Sequence, residues 1–199
     1  MIGTRTEALR QVSSDRVSGL AHFAVRVALA NALLVLCSKV AILLPWTPVP
    51  LTLQTFGVLL IAVLFGARAG TLAALLYLVE GAAGLPVFQP FGTPAALRLF
   101  GPSGGYLLSF PVAAFMAGHL LERWVPREGT PRAGVREWLT ILAALVPAAA
   151  VMLFCGWAWL AGHVGVATAT RIGLLPFLPG EVFKVAAATT IAVALRPKR

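Results

Sequence analysis

The stretch Leu178–Leu195, LPGEVFKVAAATTIAVAL, decides the fold. After its first turn it is apolar enough to lie in lipid, yet it carries Glu181 and Lys184. Three residues apart, they share one face of one helical turn. An ionised side chain at the centre of a bilayer costs about 2.5–3.5 kcal/mol on insertion scales. One charge of each sign in such a segment needs a reason, which the rest of the chain supplies.

Of 199 residues, 59% are hydrophobic and 12% charged, against about a quarter charged in a soluble domain. Mean hydropathy is +0.87. This is the composition of an all-α integral membrane protein. Residues 1–20 are polar and basic and show no apolar core ahead of a cleavage site, so the first span is expected to be the first targeting signal. Apolar segments run near 21–44, 51–67, 69–84, 104–121, 137–162 and 177–195, each of a length that suits a membrane helix. They predict six transmembrane helices in a single membrane domain over 21–196, behind a cytoplasmic segment 1–20. Only Gly66–Gly70 separates the second and third spans, which predicts a tight turn between antiparallel helices.

Basic residues set the orientation. The N-terminus, the 2–3 turn, the 4–5 loop and the C-terminus hold Arg5, Arg10, Arg16, Arg68, Arg123, Arg127, Arg132, Arg136, Arg196, Lys198 and Arg199. The opposite side holds Arg98 and Arg171. The excess predicts that both termini are cytoplasmic. The net charge of +9 is thus accounted for by topology and does not point to nucleic acid. Cys37 and Cys155 lie within apolar spans and read as small core residues. His22, His119 and His163 are far apart, near span ends, and read as interfacial side chains, so no metal site is expected.

Lys39, Glu80, Arg98, Glu181 and Lys184 then fall at the outer half of the protein, on several different segments. That convergence predicts a polar cavity open to the outside. The outer connections, Leu44–Gly57 and Gly84–Tyr106, are apolar and rich in Pro and Gly, and are expected to fold over the cavity as lids. No Gly-rich phosphate loop occurs, so ATP hydrolysis by this chain is not expected, and no catalytic constellation is visible. Glu181 and Lys184 neutralise each other and leave Arg98 as a surplus cation. A ligand with one carboxylate restores the balance, with Lys184 and Arg98 as donors and Glu181 accepting from ligand N–H groups. Gln54, Tyr77, Phe88, Ser103 and Tyr106 complete a site suited to a small, mostly apolar organic acid with a polar head. In span 1, Ala24, Ala28 and Ala32 form a stripe that lets another helix approach closely, either within the chain or from a separate subunit.

Four motifs in order, TPVPLTLQTFGVLL (47–60), LLYLVEGAAGLPVF (75–88), GPSGGYLLSFPVAAFMAG (101–118) and LPGEVFK (178–184), closely resemble the BioY family. Its members are the biotin-specific S components of energy-coupling factor (ECF) vitamin transporters. The resemblance covers about residues 28–190 and implies the S-component fold, an outward-facing biotin site and a place in a bacterial inner membrane. It also implies a transmembrane coupling subunit and two ATPase subunits as partners, and no cofactor beyond the transported biotin. The Ala24/Ala28/Ala32 stripe is similar to the pattern such S components dock through. The family's acid-x-x-Lys pair after Pro-Gly falls on Glu181 and Lys184, with Glu here where Asp is usual. Biotin offers a carboxylate and ureido N–H groups, and which end meets which charge stays open at this point. The alternatives are a solitary secondary carrier for biotin or a similar acid, and an S component for another vitamin.

Overall fold

The computed structural model describes residues 2–88, 95–125 and 134–195, with the backbone alone for 2–16 and 95–96. In chain order it comprises α1 (Ile2–Lys39), the two-residue strands β1 (Ala41–Ile42) and β2 (Leu51–Thr52), α2 (Gln54–Ala82), α3 (Ala95–Phe100) and α4 (Gly104–Trp124). These are followed by α5 (Val135–Val164), α6 (Val166–Ala169), a π-helical turn at Thr170–Leu174, and α7 (Leu178–Ala194). Among the described residues, four helices are long and apolar enough to cross a membrane when α2 is counted end to end: Val17–Lys39 within α1, α2, α4 and α5. A fifth is formed if Val166–Leu174 and Leu178–Ala194, bent by 46°, make one broken span. The chain is thus a multi-pass, all-helical membrane protein. The basic residues expected at 127, 132, 196, 198 and 199 lie outside the described residues.

The long element α2 is not one rod. Gly66 sits at φ 82°, ψ 177° inside it, a left-handed conformation that favours glycine. Gln54 Nε2 lies 2.5 Å from the hydroxyl of Tyr77, although 23 residues of continuous helix would separate them by roughly 35 Å. The two arms, 54–65 and 67–82, therefore fold back antiparallel about Gly66, inside the turn expected from Gly66–Gly70. Two charges hold the corner. Arg26 Nη2 donates to the Phe65 carbonyl at 2.5 Å, ending the first arm. Glu122 Oε1 accepts from the Ala67 N–H at 2.9 Å, starting the second. A cation thus meets a helix C-terminus and an anion a helix N-terminus, the favourable sense in both cases.

The first helix departs from the sequence reading at both ends. It begins within the segment expected to lie apart from the bundle, and it stops at Lys39 rather than running to 44. Beyond Lys39 the chain turns into a hairpin in which Ala41 pairs with Thr52 and Ile42 with Leu51. The Leu53 N–H also donates to the Val40 carbonyl at 3.1 Å, so residues 40–42 spend their backbone bonds across the hairpin rather than on continued helix. Pro45, Pro48 and Pro50 keep the connection between the strands from being helical.

The bundle packs α2 against α1 and α4, α4 against α5, and α7 against α2 and α5. Its interior is filled by Tyr77, Phe110, Leu34, Leu59, Ile61, Leu145 and Met152, spaced by fully buried alanines such as Ala73, Ala113, Ala117 and Ala148. Small residues permit the close helix approach that membrane bundles need, since lipid supplies no hydrophobic drive between helices.

Candidate functional site

Glu181 and Lys184 occupy the first two turns of α7, which Pro179 opens with a backbone angle already suited to a helix start. They are 4% and 6% exposed, whereas their neighbours Val182 and Phe183 are 70% and 75% exposed. The helix therefore turns its two charges inward and its apolar residues outward. Lys184 Nζ lies 2.7 Å from Glu181 Oε1. Thr55 closes a triangle with them: its hydroxyl donates to Glu181 Oε1 at 2.6 Å and accepts from Lys184 Nζ at 2.9 Å. All the bonding falls on one carboxylate oxygen. The other, Oε2, is buried and has no hydrogen-bond partner.

This triangle forms the floor of a narrow cavity of about 30 Å³, lined also by Val49, Pro50, Thr52, Gln54, Ser103, Tyr106, Leu107, Phe110, Leu153 and Phe177. Val49, Pro50 and Thr52 come from the connection after α1 and Ser103 from the one before α4, so both expected lids contribute to the lining, residues 89–94 of the second lying outside the described residues. Tyr106 and Phe177 stack with ring centroids 6.0 Å apart, and the Tyr106 hydroxyl donates to the Gly173 carbonyl at 2.5 Å. Tyr106 packs so closely on α5 that a Cβ at Gly156 would lie 2.1 Å from its ring.

Of the eight candidate ligand contacts, Glu181, Lys184, Gln54, Ser103 and Tyr106 line one cavity. Tyr77 and Phe88 lie behind the wall, buried and packed edge to face at 5.2 Å. Arg98, on α3, is half-buried and is not among the lining residues; burial lowers its guanidinium pKa from the ordinary value. The expected convergence of outer charges narrows accordingly. Glu80 accepts from Asn31 Nδ2 at 3.1 Å and Lys39 donates to the Pro86 carbonyl, so both tie α1 to the second arm of α2 and the loop after it. Ala24, Ala28 and Ala32 are all exposed, and no other described helix covers them.

Thr55 was not singled out from the sequence, although it stands beside Gln54 in the quoted TLQT run. Nor were Phe110, Leu153 and Phe177, whose apolar side chains carry no signal that separates wall from core.

A cavity lined by a buried, self-neutralised ion pair inside a helical membrane protein is the geometry of a small-molecule site. The profile of the BioY family matches residues 9–199, and the chain belongs to that family. A protein of Pyrococcus horikoshii named "Probable biotin transporter BioY" is 40% identical over 149 residues, covering 75% of this chain and 82% of its own. A Thermotoga maritima protein, "Biotin transporter BioY", is 34% identical over 173 residues, 86% of this chain and 94% of its own. The fold is similar to that of the solved S-component for biotin from an ECF-type ABC transporter. The TM-score is 0.74 at 24% identity, covering 92% of this chain and 93% of that one.

Proposed function

We propose that this chain is the biotin-binding membrane subunit of an ECF-type uptake system. The observation that carries the reading is Glu181 Oε2, a buried acceptor without a partner in the wall of a lidded cavity. Leaving such a group unsatisfied costs about 1–3 kcal/mol, which a ligand N–H recovers. The floor is already neutral, because Lys184 is engaged by Glu181 and Thr55. An anion placed there would face the bare carboxylate oxygen. A neutral head with both N–H and C=O groups fits better: the cyclic urea of biotin donates to Oε2, and its carbonyl accepts the remaining Lys184 N–H. The aliphatic acid chain then runs away from the floor, and Arg98 on α3, outside the lining, is the proposed partner of its carboxylate. Ser103, Tyr106 and the hairpin residues enclose the bicycle, with Phe88 and Tyr77 backing the wall.

Counting the two arms of α2 separately, and the bent pair at 166–194 as one, gives six membrane helices with both termini on the cytoplasmic side. Residues 1–20 then lie in the cytoplasm ahead of one membrane domain. The uncovered Ala24/Ala28/Ala32 stripe is the docking face for the coupling subunit, and separate ATPase subunits supply the energy in the cytoplasmic membrane. The names borne by the relatives support the substrate. The test is to purify the protein, extract whatever it retains and identify that by mass spectrometry, then titrate with biotin by calorimetry. Retained biotin and saturable binding are expected; neither being seen overturns the reading.

A further inference from the structure

The chain of hydrogen bonds behind the cavity wall has a direction. Tyr77 is wholly buried, and its hydroxyl lies 3.0 Å from the Val87 carbonyl. That carbonyl takes the phenolic proton on one lone pair and the Ser38 hydroxyl, 2.7 Å away, on the other. The Tyr77 oxygen then accepts from Gln54, whose amide nitrogen is 2.5 Å away. This network assigns the two ends of the Gln54 amide. Nε2 points back to Tyr77, and Oε1 is the end that remains, taking one bond from the Thr52 hydroxyl at 3.2 Å. An amide oxygen has a second lone pair, and Gln54 lines the same cavity as Glu181.

The geometry points to Tyr77 as a positioning residue for ligand selectivity: through the Val87 carbonyl it locks Gln54 so that the cavity presents two acceptors, Gln54 Oε1 and Glu181 Oε2. The inference rests on the reading of the ligand as a cyclic urea given above. A ligand head must then bring two N–H donors, one for each acceptor. Replacing either N–H by a ring oxygen sets acceptor against acceptor, which a site built to receive hydrogen bonds rejects strongly. The two acceptors differ in how firmly they are held. Glu181 is a carboxylate and has no donor end to offer, whereas Gln54 could present its NH2 if released from Tyr77.

The test compares biotin with its two carbamate analogues, each having one ureido N–H replaced by oxygen, against wild-type protein and Tyr77→Phe. Wild type is expected to bind both analogues at least tenfold more weakly than biotin. In Tyr77→Phe the Gln54 amide is free to turn, so the penalty for one analogue falls several-fold while the penalty for the other stays. Leu78→Ala loosens packing on the same arm of α2 without touching the hydroxyl or any residue of the site, and should leave both ratios unchanged. An unchanged pair of ratios in Tyr77→Phe overturns the proposal, as does an equal fall for both analogues or a matching change in Leu78→Ala. If Tyr77→Phe does not fold, wild type alone decides: one analogue binding as well as biotin means a single acceptor and overturns it. Wild type that binds no biotin overturns this and the functional reading together, whereas biotin binding with unchanged ratios overturns this one only.

Discussion

Replacing Lys184 with Gln would leave Glu181 buried without its cation, and breaking a buried pair from one side costs about 3–5 kcal/mol. Lys184→Gln is therefore expected to weaken biotin binding at least 100-fold, measured by calorimetry in detergent. Thr55→Val keeps the shape but removes one bond to each charge. A loss of about tenfold is expected, partly restored by Thr55→Ser, in line with about 1.5–3 kcal/mol for hydrogen bonds to charged groups. The ion pair was legible in the sequence because opposite charges three residues apart in an apolar run are costly unless they meet each other away from lipid. Thr55 was not. Hydroxyls in membrane helices commonly bond to their own backbone, as Thr71, Thr189 and Thr190 do here, each to the carbonyl four residues back. Nothing in a sequence tells which threonine is excused from that habit. Glu181 itself reaches Thr55 and Lys184 through one oxygen and keeps the other unpartnered.

At the scale of elements, apolar periodicity found the helices and strand pairing shortened one of them. Residues 40–44 are as hydrophobic as a span, which is why hydropathy alone carries the first helix through them. Their cross-strand partners at 51–52 could not be read, because a two-residue strand leaves too short a pattern. The fold-back at Gly66 was expected from its glycine-rich surroundings, but the Arg26 and Glu122 contacts that hold it come from helices remote in sequence. Two element-level outcomes follow from packing. Ala28→Leu should leave biotin binding intact, since α1 turns that face away from the bundle, yet abolish co-purification with a coupling subunit. Gly156→Ala drives a methyl into the Tyr106 ring, and should lower both the melting temperature and biotin affinity.

For the molecule as a whole, ligand and stability are linked. Biotin at about 100 times its Kd should add about 2.7 kcal/mol to the folded state, raising the melting temperature of wild type but hardly that of Lys184→Gln. The six-helix count has its own check. In a background lacking Cys37 and Cys155, a cysteine replacing Trp46, which is 62% exposed, should label from outside the cell. One replacing Arg68 should label from the cytoplasm. Labelling from the same side would mean that the Gly66 hairpin does not return the chain across the membrane.

The hairpin strand Leu51–Thr52 and the floor residues Gln54 and Thr55 lie within five consecutive residues. The cover and the reading surface are thus one short piece of chain, and neither can shift far without the other. If that piece moves to admit a bicyclic acid, cover and floor move together. A guest that satisfies the floor holds it back in place, and one that does not leaves it loose. Selectivity in such an arrangement is written in dwell time: competing vitamins should enter about as often as the right one and leave sooner, so differences should fall in koff and hardly in kon.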